Sequence, residues 1–261
     1  MVFLIPFALL AQEREVRDVN TFTRISYALP GKLHVKQGSP QRVELVGDAD
    51  LLKEIETEVS GGRLRIGVES RRSNRRIDKD DITVYITVPK LEALGVSGSG
   101  EAIGDGRFRT DDLDLAVSGS GSISLDVVAD GDIEADVSGS GSIDVKGRCE
   151  EFESDVSGSG RVMVDAEIRD GADLSVSGSG RIAARGKARQ VHTQISGSGK
   201  VLAADLEAER CRVSIAGSGD VEVNVKEELD ANIGGSGSVS YRGNPKKVNS
   251  HSAGSGKVRK M

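Results

Sequence analysis

The chain has 261 residues, ample for a large core, and its 29% charged residues sum to a net charge of −6. An acidic balance excludes nucleic acid as a general partner, because that role draws on a basic excess. The 33 glycines follow no three-residue period, which excludes collagen, and aromatics at 3% with no Trp leave little for stacking sugars on rings.

Residues 1–11, from Met1 to Ala11, form an apolar run too short to span a bilayer. It ends in the small residue Ala11, and the polar Gln12-Glu13-Arg14-Glu15 comes next. That is the pattern of a secretory signal cut after Ala11, and its missing positive start places the true beginning upstream. A buried strand broken by Pro6 is the alternative. No later stretch approaches ~20 apolar residues, so no transmembrane helix is expected. The mature protein is expected to be exported, to the periplasm or the cell surface.

Residues 12–95 read as a β-rich cap leading into the repeats of residues 96–261. Phe22 to Leu29, Gly31 to Val35, Val43 to Val46, Arg63 to Val68 and Ile82 to Val88 are expected strands, with turn residues between. Asp50 to Glu56 reads as one short helical turn. The run from Arg71 to Arg76, with Asp78, Asp80 and Asp81 after it, reads as a self-neutralising hairpin loop. A cap here would hide the apolar end of a stacked structure.

Residues 96–261 carry nine copies of Gly-Ser-Gly, 18 to 21 residues apart. They centre on Ser99, Ser120, Ser140, Ser159, Ser179, Ser198, Ser218, Ser236 and Ser255. A fixed period of about 20 residues means a solenoid, whose unit buries its apolar face by stacking on its neighbours. Before each motif, apolar and polar residues alternate, as in Leu113/Leu115/Val117 and Ile133/Ala135/Val137. A second alternating stretch lies after it, as in Ile123/Leu125/Val127 and Ile143/Val145. Each unit is therefore strand, glycine corner, strand, then a variable polar segment with one apolar anchor such as Ile168 or Leu206. The expected fold is all-β: a right-handed parallel β-helix (β-solenoid) with rungs of about 20 residues, the hand set by the general crossover rule. The serines form a structural corner column whose hydroxyls can bond along the stack. At the far end, Lys257, Arg259 and Lys260 flank Val258 and discourage end-to-end pairing. Cys149 and Cys211 lie three units apart, ~14 Å at the strand spacing, too far for a disulfide.

The repeated Val-Ser-Gly-Ser-Gly, the Ile82–Pro89 strand (Ile-Thr-Val-Tyr-Ile-Thr-Val-Pro) and the Ile-Glu-Thr-Glu-Val-Ser-Gly-Gly-Arg-Leu-Arg-Ile run resemble the "putative auto-transporter adhesin, head GIN domain" family. The resemblance covers about residues 18 to 259. It implies an exported protein of the type found widely in Bacteroidetes, and it assigns no catalytic residues.

No catalytic, metal or cofactor site emerges from the residues. The corners lack the Gly-x-x-x-x-Gly-Lys-Ser/Thr phosphate loop, and the period does not suit a calcium roll. His34, His192 and His251 are scattered. Asp136 and Asp155 share an outward column on adjacent rungs. They read as a solvated face balanced by Arg161 and Arg181 across the corner, with an acid–base pair as the rival. Arg161, Arg181 and Lys200 stack as three cations, balanced by Asp155 and Asp165 or else an anion-binding strip. Met163, Ala183 and Leu202 form an apolar outward column, an interaction face unless a loop or the N-terminal region folds over it. The function read from this is non-catalytic: an adhesin-like envelope or surface protein presenting a repetitive face to a protein or glycan partner, with homo-oligomerisation through the same face a second option. A glycan-active β-helix enzyme and a periplasmic scaffold without a specific ligand are the alternatives.

Overall fold

Alternating apolar and polar residues bury one side of a strand and leave the other in water. The structure, a computed structural model, describes residues 12–68, 78 and 81–261. The expected signal at 1–11 and the Arg71 to Arg76 run lie outside the described residues. Leu113, Leu115 and Val117 are buried on the strand Leu113–Gly119, as are Ile133, Ala135 and Val137 on Ile133–Gly139. Successive first strands pair in parallel and in register, with Val117 opposite Val137, Val137 opposite Val156, and Val156 opposite Val176. Second strands do the same, with Ile123, Ile143, Val162 and Ile182 in one column. The fold is an all-β parallel solenoid. Its core packs by complementary columns: Phe152 gives way one coil later to Ala172, and Leu115 to Ala135 and then Ser154. The buried Ser154 hydroxyl donates to the Ala135 carbonyl at 3.0 Å, so it costs little.

The corner explains the motif. The Ser159 N–H donates to the Gly139 carbonyl and the Arg161 N–H to the Gly141 carbonyl, both at 2.9 Å. Gly158 takes φ +109°, and a Cβ there would sit 2.7 Å from the Gly139 carbonyl oxygen. Gly160 needs no unusual φ, but its Cβ would run into Val137 Cγ1 and lie 2.9 Å from the Gly141 carbonyl oxygen. The first glycine thus serves backbone conformation and the second close approach. All nine central serines are exposed. The expected hydroxyl ladder is not continuous: Ser255 Oγ donates to Ser236 Oγ at 3.0 Å, and no other pair in the column bonds. Backbone N–H groups already join the coils, so the hydroxyls are left to water.

The variable segment is not a loop in the later coils. Arg181–Gly197, Lys200–Gly217 and Asp220–Gly235 are continuous strands that run through it. Its polar residues point outward while its backbone pairs with the neighbouring coil, as Lys187 does with Glu207. Ile168 and Leu206 are buried anchors. A second bend, at Gly147 and Gly186, packs against the carbonyls of Val127 and Ala166.

The N-terminal residues are layered out of chain order. Arg24–Tyr27 lies in parallel between Arg63–Val68 and Ala93–Gly98. Lys32–Gln37 lies between Ile82–Val88 and Glu101–Thr110. Antiparallel strands then cover the outermost layer: Ile55–Ser60 on Arg63–Val68, Arg42–Gly47 on Ile82–Val88, and Glu13–Arg17 on Arg42–Gly47. The helix Ala49–Glu54 is capped by Asp48, whose side chain accepts from the Asp50 and Leu51 N–H groups. It adds Leu51 and Leu52, each 1% exposed, to the core. At the other end, Lys247–Ser252 and Lys257–Lys260 pair along one edge. There Ser250 and Ser252 occupy the positions that Ala231 and Ile233 hold one coil earlier.

Cys149 and Cys211 do not share a column. Cys149 ends a second strand opposite Ile168, whereas Cys211 lies on a first strand between Val191 and Leu229. The expected separation of three coils holds, with a shift to a different column added to it. Both are buried and free, and burial pushes both thiols up to about 12.

Gly158→Ala is expected to cost at least about 2 kcal/mol and lower Tm by roughly 4–8 °C. Ser159→Ala is expected to shift Tm by less than about 2 °C, because the hydroxyl is exposed and unbonded. Thermal melts monitored by circular dichroism compare the two. A chromogenic thiol reagent at pH 8 is expected to leave Cys149 and Cys211 untouched in the native chain and to titrate both in denaturant.

Candidate functional site

Outward side chains inherit the coil register, so each outward position becomes a column. On the second-strand face Arg161, Arg181 and Lys200 stack on consecutive coils, and Met163, Ala183 and Leu202 stack beside them. Met163 is 38% exposed, so none of the described residues covers it; Ala183 and Leu202 are half-buried.

Several exposed charges on this solenoid pair with the next coil. Arg107 grips Asp126 with two bonds of 2.9 and 3.0 Å, Lys226 reaches Glu207 at 2.6 Å, and Lys247 reaches Glu228 at 2.6 Å. Lys200 does the same, meeting Asp220 at 2.8 Å. Lys200 first, and the Ser238 hydroxyl second, hold the Asp220 carboxyl below the usual range. Arg161 and Arg181 make no such pair. Among the described residues neither guanidinium has a hydrogen bond or ion pair, so the expected balance by Asp136, Asp155 and Asp165 is not made. Asp136 and Asp155 lie on first strands and the arginines on second strands, with the glycine corner between them.

The first-strand face has the opposite sign. Asp114, Glu134, Glu153 and Asp173 form one column, and Asp136 and Asp155 lie opposite each other in the next. An open hollow here is lined by Asp112, Asp132, Glu134, Glu151 and Glu153 among others. Burial, then the charge of Asp155, raises the Asp136 carboxyl above its ordinary value. Burial, then Asp136, does the same to Glu134. Asp136 and Asp155 thus border a column of like charges four coils long. Among the described residues no three His, Cys, Asp or Glu are arranged to hold a metal ion.

The histidines stay apart. His192 Nδ1 is 3.3 Å from Asp173 Oδ1, and His251 sits on the exposed strand Lys247–Ser252. His34 Nδ1 is 3.2 Å from Asp105 Oδ1, and its ring stacks on Tyr85 at 5.2 Å. Arg14 lies over the Tyr85 ring and also pairs with Glu44, which Arg42 holds at 2.6 Å. Sequence reasoning missed this cluster, although alternation along Ile82–Val88 already turns Tyr85 outward.

A raised folded-state pKa means that stability is lost as pH rises through it. Asp136→Asn is therefore expected to raise Tm at pH 7 by roughly 1–3 °C. The advantage shrinks as pH falls and the parent carboxyl takes up its proton. Melts of both chains between pH 7 and 4 check the sign, and an advantage that grows with acid would contradict it.

Solved structures share the fold. A "putative lipid binding protein" from Parabacteroides distasonis aligns at 24% identity over 96% of each chain with a TM-score of 0.71. A "putative adhesin" from Parabacteroides merdae aligns at 19% identity over 96% of each chain with a TM-score of 0.73. Another "putative adhesin" from Parabacteroides distasonis aligns at 20% identity, covering 96% of this chain and 97% of that one, with a TM-score of 0.70. At these identities the likeness establishes the fold alone. No curated protein matches the chain. Among the described residues no helix is long and apolar enough to cross a membrane. The family model described as "putative auto-transporter adhesin, head GIN domain" matches residues 21–182 and 168–245, and the chain belongs to that family.

Proposed function

We propose that the chain is an exported, non-catalytic interaction protein of the cell envelope that presents the outer face of its second strands to a protein or glycan partner. One observation carries the reading: the unpaired Arg161 and Arg181 stack on adjacent coils beside the exposed Met163, although an adjacent outward column alternates in sign. A rigid stack with repeated outward positions suits an extended partner. The family's adhesin description and the neighbours named "putative adhesin" support a surface role. A neighbour named "putative lipid binding protein" supports binding rather than turnover.

Labelling intact native cells with a membrane-impermeant amine reagent tests the location. The chain is expected to be labelled while a periplasmic control is not. Labelling only after outer-membrane rupture would replace this reading with a periplasmic scaffold.

The apolar column favours a second reading, self-association through the same face. Light scattering is then expected to give a mass above the monomer, reduced by Leu202→Asp. A monomeric mass unchanged by that substitution removes it.

A further inference from the structure

We infer that the Arg161–Arg181–Lys200 column binds a linear acidic polysaccharide lying along the solenoid axis, an inference that rests on the interaction role proposed above and names its partner class. Parallel pairing places Arg161 opposite Arg181 and Arg181 opposite Lys200, so the cations recur at the strand separation of ~4.8 Å. Like charges on neighbouring strands destabilise the pairing. On the same face the column Arg107, Asp126, Lys146, Asp165, Arg185 and Asp205 avoids that cost by alternation, with Arg107 on Asp126 and Arg185 at 3.9 Å from Asp205. Arg161 and Arg181 keep it, and both are exposed with unpaired guanidinium groups. Lys200 shares its charge with Asp220, which ends the strip.

The surroundings select the shape of the anion. On one side lies the column Met163, Ala183 and Leu202, a flat apolar strip for the less polar face of a sugar ring. Beyond it, Asp165 and Asp205 flank Arg185 in the next outward column. A broad anionic surface would meet those carboxylates and be repelled, whereas a single chain one residue wide meets the cations alone. On the other side, Ser159 and Ser179 precede the two arginines by two residues each, and their exposed hydroxyls make no hydrogen bond among the described residues. Guanidinium forks suit carboxylates, and free hydroxyls suit those of sugars. The chemistry fits a polyuronate, with a carboxylate on each unit.

Binding of the full chain to polygalacturonate, to neutral dextran and to phosphatidylglycerol vesicles tests this by titration calorimetry. Polygalacturonate is expected to bind, more weakly as salt rises, and dextran and the vesicles are not. Arg161→Glu with Arg181→Glu is expected to weaken binding at least about tenfold, since two charge-assisted contacts become repulsive. Arg107→Glu with Arg242→Glu makes the same charge change off the strip and is expected to leave affinity within about threefold. Both double variants alter exposed side chains, and their melts confirm folding. Equal loss in the two variants, no binding of polygalacturonate, or preference for the vesicles would overturn the inference. A periplasmic chain that still binds through Arg161 and Arg181 would sink the surface reading alone; a surface chain that does not bind would sink only this one.

Discussion

Everything in this molecule depends on parallel strands stacking in register from one coil to the next. Each coil takes its backbone hydrogen bonds from its neighbour, so equivalent positions are held at the strand separation along the stack. Any side chain then has a copy of its own position directly above and below. The corner feels this most: the α-carbon region of Gly158 meets the carbonyl of Gly139, and Gly178 meets that of Gly158. No side chain fits such a column, which is why the glycines recur and the serine between them can face water.

The same rule turns surface charge into columns. Where opposite signs alternate, neighbouring coils are tied together, as by Arg107 and Asp126 or Lys226 and Glu207. Where one sign repeats, the coils repel. The first-strand face repeats carboxylates, and partial burial with mutual repulsion raises Glu134 and Asp136 above the ordinary carboxyl range. The second-strand face repeats cations at Arg161 and Arg181. The two faces of one solenoid thus differ in sign, and the glycine corner that divides them keeps their charges from neutralising each other.

The two ends obey the same geometry. A stack of parallel strands leaves an open edge and an apolar mouth. At the N-terminal end, antiparallel strands cover the outer layer and Leu51 and Leu52 join the core. At the other end, Ser250 and Ser252 stand where Ala231 and Ile233 do one coil earlier, and Lys257, Arg259 and Lys260 place cations on the last strand.

Much of this was legible in the order of residues. Period, alternation and the paired glycines are local properties, and they determined the coil, its inward residues and the columns of Met163 and Arg161. The extended backbone of the variable segments was not legible, because polar composition reports where side chains point and not whether the backbone is paired. The layering of Arg24–Tyr27 between Arg63–Val68 and Ala93–Gly98 was hidden too, since strands distant in sequence can stack in any order that buries their apolar faces. Whether Arg161 reaches Asp155 depends on the direction in which two sides of a corner face. The sequence by itself determined the repeat and what lies inside it; only the tertiary structure decided which coil neighbours which and which charges meet, because those depend on distances across space that no local pattern encodes.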